Sequence, residues 1–267
     1  MTIVTETTPA ELEPDSDSTP ELADAPLLRI RFRIRFGKTD LLRWISHRDL
    51  ARLWERLLRR AQLKLSMTEG FHPKPRVAFP SALALGVESL DEVVEIELAE
   101  EMTPQDLLLR LEADQQPGLI IKSVRRVPEG AGKAQLLASN YTISLVDGTD
   151  AAAVQEAIDG LMQQDSVSVE RKKKKLTVNV AEQITQLGVA EGVIQLRLAA
   201  SDAASLRPGD VLDLLGFGDW IERGTLIRRT CVDLQQELDG SDPDFVAVAP
   251  TSETALNEQD SCGEAGA

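Results

Sequence analysis

Two histidines and a stripe of arginines are the residues of this sequence best suited to chemistry, and they crowd between positions 47 and 76. His47 and His72 are the only imidazoles, and imidazole is the side chain suited to act as a general acid or base near neutral pH. Meeting in space, they could cleave or modify RNA. His72 lies in the run Gly70-Phe71-His72-Pro73-Lys74-Pro75-Arg76, which sets an aromatic ring, an imidazole, an amine and a guanidinium on stiff backbone. That combination suits a planar, anionic ligand. Arg48, Arg52, Arg56 and Arg59 recur at helical spacing and would track a phosphate backbone, a contact that sets affinity without reading base sequence.

Each pattern also has a plain explanation. His47 in a first helical turn can simply face solvent, and His72 can order its own loop. An arginine stripe is also what any amphipathic helix shows to water. Other chemistries lack their residues. Two histidines with the remote Cys231 and Cys262 give no zinc spacing and suggest no disulfide framework. There is no glycine-rich phosphate loop, nucleophile elbow or cysteine triplet, and Lys172 to Lys175 reads as a solvated hairpin turn.

The net charge of -15 is unevenly spread. Residues 1–26 hold seven acidic and no basic side chains, and residues 230–267 hold nine and none. Residues 27–229 are left with 29 basic against 28 acidic groups, and within them residues 27–80 carry fourteen basic against four acidic ones. The tails 1–26 and 235–267 have few large apolar residues to offset ordering entropy and are expected to be disordered. No stretch approaches a membrane span or resembles a secretory signal, so a cytoplasmic setting without membrane contact is expected.

The elements that must position these residues follow from periodicity. Arg29 to Phe36 alternates arginine with Ile30, Phe32, Ile34 and Phe36, a half-buried strand. Ser46 then caps a helix whose apolar side is Leu50, Leu53, Trp54, Leu57 and Leu58. Leu63 to Met67 reads as a short strand, Glu92 to Leu98 as a strand, Thr103 as the cap of a helix to about Asp114, and Leu119 to Val127 as a strand. Arg31 and Arg33 should face Glu95 and Glu97 on the open side of the sheet, where cross-strand pairing consumes their charge. That side carries none of the aromatics that RNA-binding sheets use.

The same order recurs at Tyr141 to Val146, Asp150 to Gln164, Val167 to Arg171, Val193 to Leu198, Ser205 to Leu215 and Thr225 to Leu234. Thr177 to Val189 is either an extra edge strand or a connection. The expectation is an α+β chain of two tandem ferredoxin-like (split βαβ) domains, 27–128 and 138–234, between the disordered tails. The segment Ser66 to Leu90 is too long and too apolar for an ordinary turn.

Three stretches carry a family resemblance: RIRFRIRFGKTDLLRWISHRDLARLWERLLRRAQLKLS, then EGFHPKPRVAFPSALALGVES, then EVVEIEL. They resemble the radical-SAM-linked proteins, a domain of unknown function found alone or joined to a radical SAM enzyme; LRPGDVLDLLG and the IRRT strand are similar more loosely. The resemblance implies roles for Lys38, Arg43, Ser46, His47 and Asp49 before and in the first helix, and for Gly70, Phe71, His72, Pro73, Pro75 and Arg76. Gly86, Glu88 and Ser89 close the pattern. Trp44 stands where Phe is usual, Arg48 where Leu is usual, and Pro80 where Gly is common. In joined members the partner module brings the iron-sulfur cysteines, so this chain is similar to the stand-alone form and no cofactor is expected in it. Relatives encoded beside RNA-processing and ribosomal genes point to RNA.

The combined expectation is a module that binds RNA or another phosphate-bearing ligand through Lys38, Arg43, Arg48, Arg52, Arg56, Phe71, His72, Lys74 and Arg76, and presents it to a radical SAM enzyme. The alternatives are an RNA-cleaving or RNA-modifying enzyme using His47 and His72, and a protein-interaction adaptor.

Overall fold

The computed structural model describes residues 28–114, 116–171, 174–201, 205–238 and 244–248. The fold is α+β, with a large, mostly antiparallel sheet and few helices. The elements in chain order are β1 (Ile30–Lys38), α1 (His47–Arg60), β2 (Val77–Ala78), β3 (Glu88–Leu98), α2 (Pro104–Glu112), β4 (Leu119–Arg126), β5 (Leu136–Ser144) and α3 (Ala151–Met162). They continue with β6 (Ser166–Arg171), β7 (Lys174–Asn179), α4 (Val180–Gln183), β8 (Ile184–Ala190), β9 (Val193–Ala199), α5 (Pro208–Leu214), β10 (Ile227–Leu234) and β11 (Phe245–Ala247).

One sheet runs in the order β11-β4-β1-β3-β10-β5-β9-β8, with β2 paired to β3. Its midpoint is the parallel pairing of β3 with β10, where Arg228 lies opposite Glu88 and Arg229 opposite Ser89. The halves are thus joined through backbone hydrogen bonds. The remaining strands, β6 and β7, form a separate hairpin.

Alternation in β1 does what its sequence dictates. Ile30, Phe32, Ile34 and Phe36 enter a core with Leu50, Trp54, Leu57 and Leu58 of α1 and Leu107, Leu108 and Leu111 of α2. Ser46 caps α1 by accepting the Asp49 N–H, and Thr103 caps α2 by accepting from Asp106. The second half builds its own core from Tyr141, Ile143, Val154, Ile158, Ile194, Leu196, Val211 and Leu212. Both helix layers lie on one side of the sheet. Ile227 packs in the second core, Arg229 points the same way two residues on, and Arg229 binds Glu92, which precedes Val94 of the first core by two.

The structure differs from the sequence reading in several places. Leu63 to Met67 makes only isolated bridges, Leu65 to Leu98 and Met67 to Pro75, and the paired residues are Val77 and Ala78 instead. The segment alternates as a strand should, but it meets the end of β3 only through the Ser66 N–H to Glu97 at 2.8 Å and the Ala99 N–H to Lys64 at 2.7 Å, too few bonds for a ladder. Thr177 to Val189 resolves into the end of β7, the single turn α4, and β8. The helix expected from Ser205 starts at Pro208, whose fixed φ suits the first helical position. Residues 244–248, inside the stretch read as a tail, include β11, which pairs with β4 through Phe245 and Val246. Residues 235–238 of that stretch are also described, and the remainder of both tails, with Lys172 and Lys173, lies outside the described residues.

The side of the sheet read as open is covered. Ala131 accepts from the Arg31 guanidinium, Gln236 from Arg33 at 3.2 Å, and Glu237 pairs with Arg35 at 2.7 Å. Arg33 binds Glu95 at 3.0 Å, and both are nearly inaccessible to water. Glu97 turns to Arg76 at 3.7 Å rather than to the strand arginines. Cys231 is buried on β10, and Cys262 lies outside the described residues. Among the described residues no helix is long and apolar enough to cross a membrane.

Candidate functional site

The expected site residues divide into three places. The first is the outer face of α1, where Arg48, Arg52, Arg56, Arg59 and Arg60 are all exposed. Spacings of four, four and three residues put the first four within one side of the helix. Arg52 pairs with Asp49 at 3.2 Å and Arg60 pairs with Asp114. Arg48, Arg56 and Arg59 have no carboxylate partner among the described residues. The Ser46 hydroxyl, followed by the Arg52 charge, holds Asp49 below the usual aspartate range.

The second place is a hairpin-like loop that leaves the sheet edge just after α1. Ser66 takes its hydrogen bond from Arg76 at 2.9 Å, and Thr68 and Lys74 bond each other through the Thr68 N–H at 2.8 Å and the Lys74 N–H at 3.0 Å. Gly70 turns the tip at φ +114°, which disfavours any side chain although nothing crowds its Cβ position. Phe71 is fully exposed, and His72 and Lys74 share that exposure. Arg76 instead clamps the base, donating to the Met67 carbonyl at 3.1 Å and facing Glu97 and Glu69. Glu69 also pairs with Arg29 at 3.1 Å, which fixes the tip near the start of β1.

The third place is the interior next to the 3-10 turn Asp40–Trp44. Lys38 is buried, and its ammonium donates to the Ile45 carbonyl at 3.2 Å and to that of Arg43 at 3.5 Å. It holds the turn that leads into α1 and does not reach solvent. Burial, with the Arg229 charge, lowers its pKa against the opposing pull of Glu92. Arg43 lays its guanidinium over the Trp44 ring at 4.7 Å. Gly86, at φ +82°, donates to the Arg43 carbonyl at 2.8 Å, and its Cβ would sit 3.2 Å from Trp44. Glu88 closes this group by accepting from the Asp40 N–H and from Arg228.

His47 and His72 are not brought together. His47 stands edge-on to Phe79 at 5.2 Å, with its Nδ1 buried and without a hydrogen-bond partner. Phe79 follows β2 toward Val94, whereas the tip carrying His72 is tied to Arg29, next to the residue opposite Leu98. These anchors are about four residues, or about 13 Å, apart along β3. No hydrogen bond or ring contact joins the two imidazoles among the described residues. Nor does any group of histidine, cysteine, aspartate and glutamate there have the arrangement of a metal site.

Sequence reasoning missed the charged seam between the halves. Arg229 donates to Glu92 at 3.0 and 3.2 Å, to the Tyr141 hydroxyl at 2.9 and 3.1 Å, and to Ser81 at 3.2 Å. Burial opposes the Arg229 charge, but Glu92 and Tyr141 outweigh it and raise its pKa. The available signal was a charged residue at a core-facing position of each strand.

Fold and site together define an α+β protein with a basic helix and an adjoining exposed loop. The chain belongs to the family described as "Uncharacterized protein conserved in bacteria (DUF2344)", which matches residues 31–208. No curated protein matches it. Among solved structures, it is similar to an unknown protein from Galdieria sulphuraria at 12% identity, over 79% of this chain and 100% of that one, with a TM-score of 0.25. So low a TM-score bears on neither fold nor function.

Proposed function

We infer that this chain is a cytoplasmic, non-catalytic module that binds RNA or another phosphate-bearing ligand and presents it to a partner enzyme. The observation that carries this is three arginines, Arg48, Arg56 and Arg59, exposed on one helix face without carboxylate partners among the described residues, in a chain of net charge -15. Solvation alone does not require leaving cations unpaired amid so many acids. Phe71, His72 and Lys74 extend that surface with a ring for stacking and two further donors. Lys38 and Arg76 have structural roles in this reading. The partner is a radical SAM enzyme, as the family resemblance implies, and it supplies the redox cofactor. Each half is read as a ferredoxin-like unit, supported by the strand orders β4-β1-β3-β2 and β10-β5-β9-β8.

The test is anisotropy of a labelled single-stranded RNA against the full chain across a salt series. Binding should weaken steeply with salt, and Arg48→Ala/Arg56→Ala/Arg59→Ala should reduce the log-log slope by about 2, at about 0.7 for each phosphate that is no longer neutralised. Salt-independent binding, or an unchanged slope in the variant, would overturn the reading. Cleavage of the RNA that disappears in His72→Ala would favour the enzyme. The adaptor reading draws on exposed Leu41, Trp44 and Leu85, an apolar group beside Arg43.

A further inference from the structure

A cleft of about 860 Å³ opens at the seam between the halves, within the size range of small-molecule sites. The loop 80–87 forms one wall through Leu83 and Val87, and Leu198 of β9 with Leu206 before α5 forms the other. Arg229, Tyr141 and Ser139 also line it, which places it on the helix side of the sheet.

Two features mark it as more than a gap in packing. First, among the described residues its charged lining is cationic: Arg171, Arg207 and Arg229 line it, with no aspartate or glutamate among them. The balancing carboxylates stand outside the lining, Asp210 at 3.1 Å from Arg171 and Glu92 at 3.0 Å from Arg229. Arg207 is exposed and has no carboxylate partner for its guanidinium among the described residues. Second, the Ser139 hydroxyl is buried, with the residue 3% exposed, and has no hydrogen-bond partner. Strand alternation puts Ser139 on the same side of β5 as Tyr141, toward the cleft. Arg229 donates to both Tyr141 and Ser81, which leaves the Ser139 hydroxyl as the unmatched buried polar atom of the cleft's lining residues. An unmet buried hydroxyl is costly unless a ligand supplies its partner.

We propose that this cleft binds a small amphipathic organic anion, with its apolar body between the leucine walls, its carboxylate or phosphate at Arg207, and a polar atom bonded to Ser139. This site is separate from the basic face of α1, so the two readings stand or fall independently.

The experiment titrates the full chain with 8-anilinonaphthalene-1-sulfonate, an aromatic body bearing one anion, and with uncharged N-phenyl-1-naphthylamine. The expected result is saturable binding of the sulfonate at one site per chain, weakened about tenfold by Arg207→Glu, as loss of a charge-assisted hydrogen bond requires. The neutral probe should be unaffected by that variant. Ala84→Trp and Ala200→Trp, which fill the cleft from opposite walls, should abolish binding of both probes, with near-UV circular dichroism confirming the fold. Ser139→Ala should weaken the sulfonate severalfold while leaving the urea midpoint of the ligand-free protein unchanged or higher. A purely structural serine would lower that midpoint. Absent saturable binding, binding that survives a filling variant that keeps its fold, or indifference to Arg207→Glu would each overturn the proposal.

Discussion

Replacing Arg229 with methionine should destabilise the protein by about 3 kcal/mol. The guanidinium and the Glu92 carboxylate are 4% and 2% exposed, so neither exchanges its partner for water. Removing one member of a buried pair costs about 3–5 kcal/mol, because the other charge is left uncompensated. Lys38 still attracts Glu92, which holds the expected cost at the lower end. The double variant Glu92→Met/Arg229→Met removes both charges, and for Lys38 it removes an attraction and a repulsion together. Its stability should therefore fall within about 1 kcal/mol of the native chain. The assay is urea denaturation followed by circular dichroism, with the slope checked for constancy so that midpoints report stability. With each single variant costing about 3 kcal/mol and the double within about 1, the double-mutant cycle should give a coupling of about 5 kcal/mol. A single variant costing less than about 1 kcal/mol, or a double variant as unstable as the two singles summed, would refute the argument that this pair acts as a closed unit.

Two further predictions concern the approach to α1. Lys38 releases its proton in the folded state at a lower pH than the ordinary lysine value of 10.5, so the unfolded chain binds more protons just below that value and stability rises with pH there. Lys38→Met should abolish this rise, and Arg229→Met should narrow its window by removing a repelling charge, both read from urea midpoints in alkaline buffers. Ser46→Ala removes the hydroxyl that accepts from the Asp49 N–H at 3.2 Å and donates to its carboxylate at 2.7 Å. It should cost about 1 kcal/mol, and the Asp49 pKa should rise, as carboxyl NMR titration would show.

The sequence by itself determined the local elements of the first half. Strict alternation in β1, the serine and threonine caps, and the apolar stripe of α1 depend on neighbours within a few residues, and the structure has them within a residue or two of the expected ends. It also determined that Arg48, Arg56 and Arg59 share an exposed helical face, since period 3.6 decides that before any packing occurs. What only the tertiary structure decided is which charges remain available. Lys38 and Arg76, as cationic as their neighbours on paper, are turned to backbone carbonyls five, seven and nine residues away once the turn after β1 and the loop before β2 fold back. Arg229 meets Glu92 across 137 residues of chain, and Ser139 lies unpartnered beside them, because β10 pairs parallel to β3 at the midpoint of one sheet. That pairing is a choice among strand edges of similar local character. Only the packing of both cores on the same side of the sheet selects it, and no short-range pattern in the sequence encodes that selection.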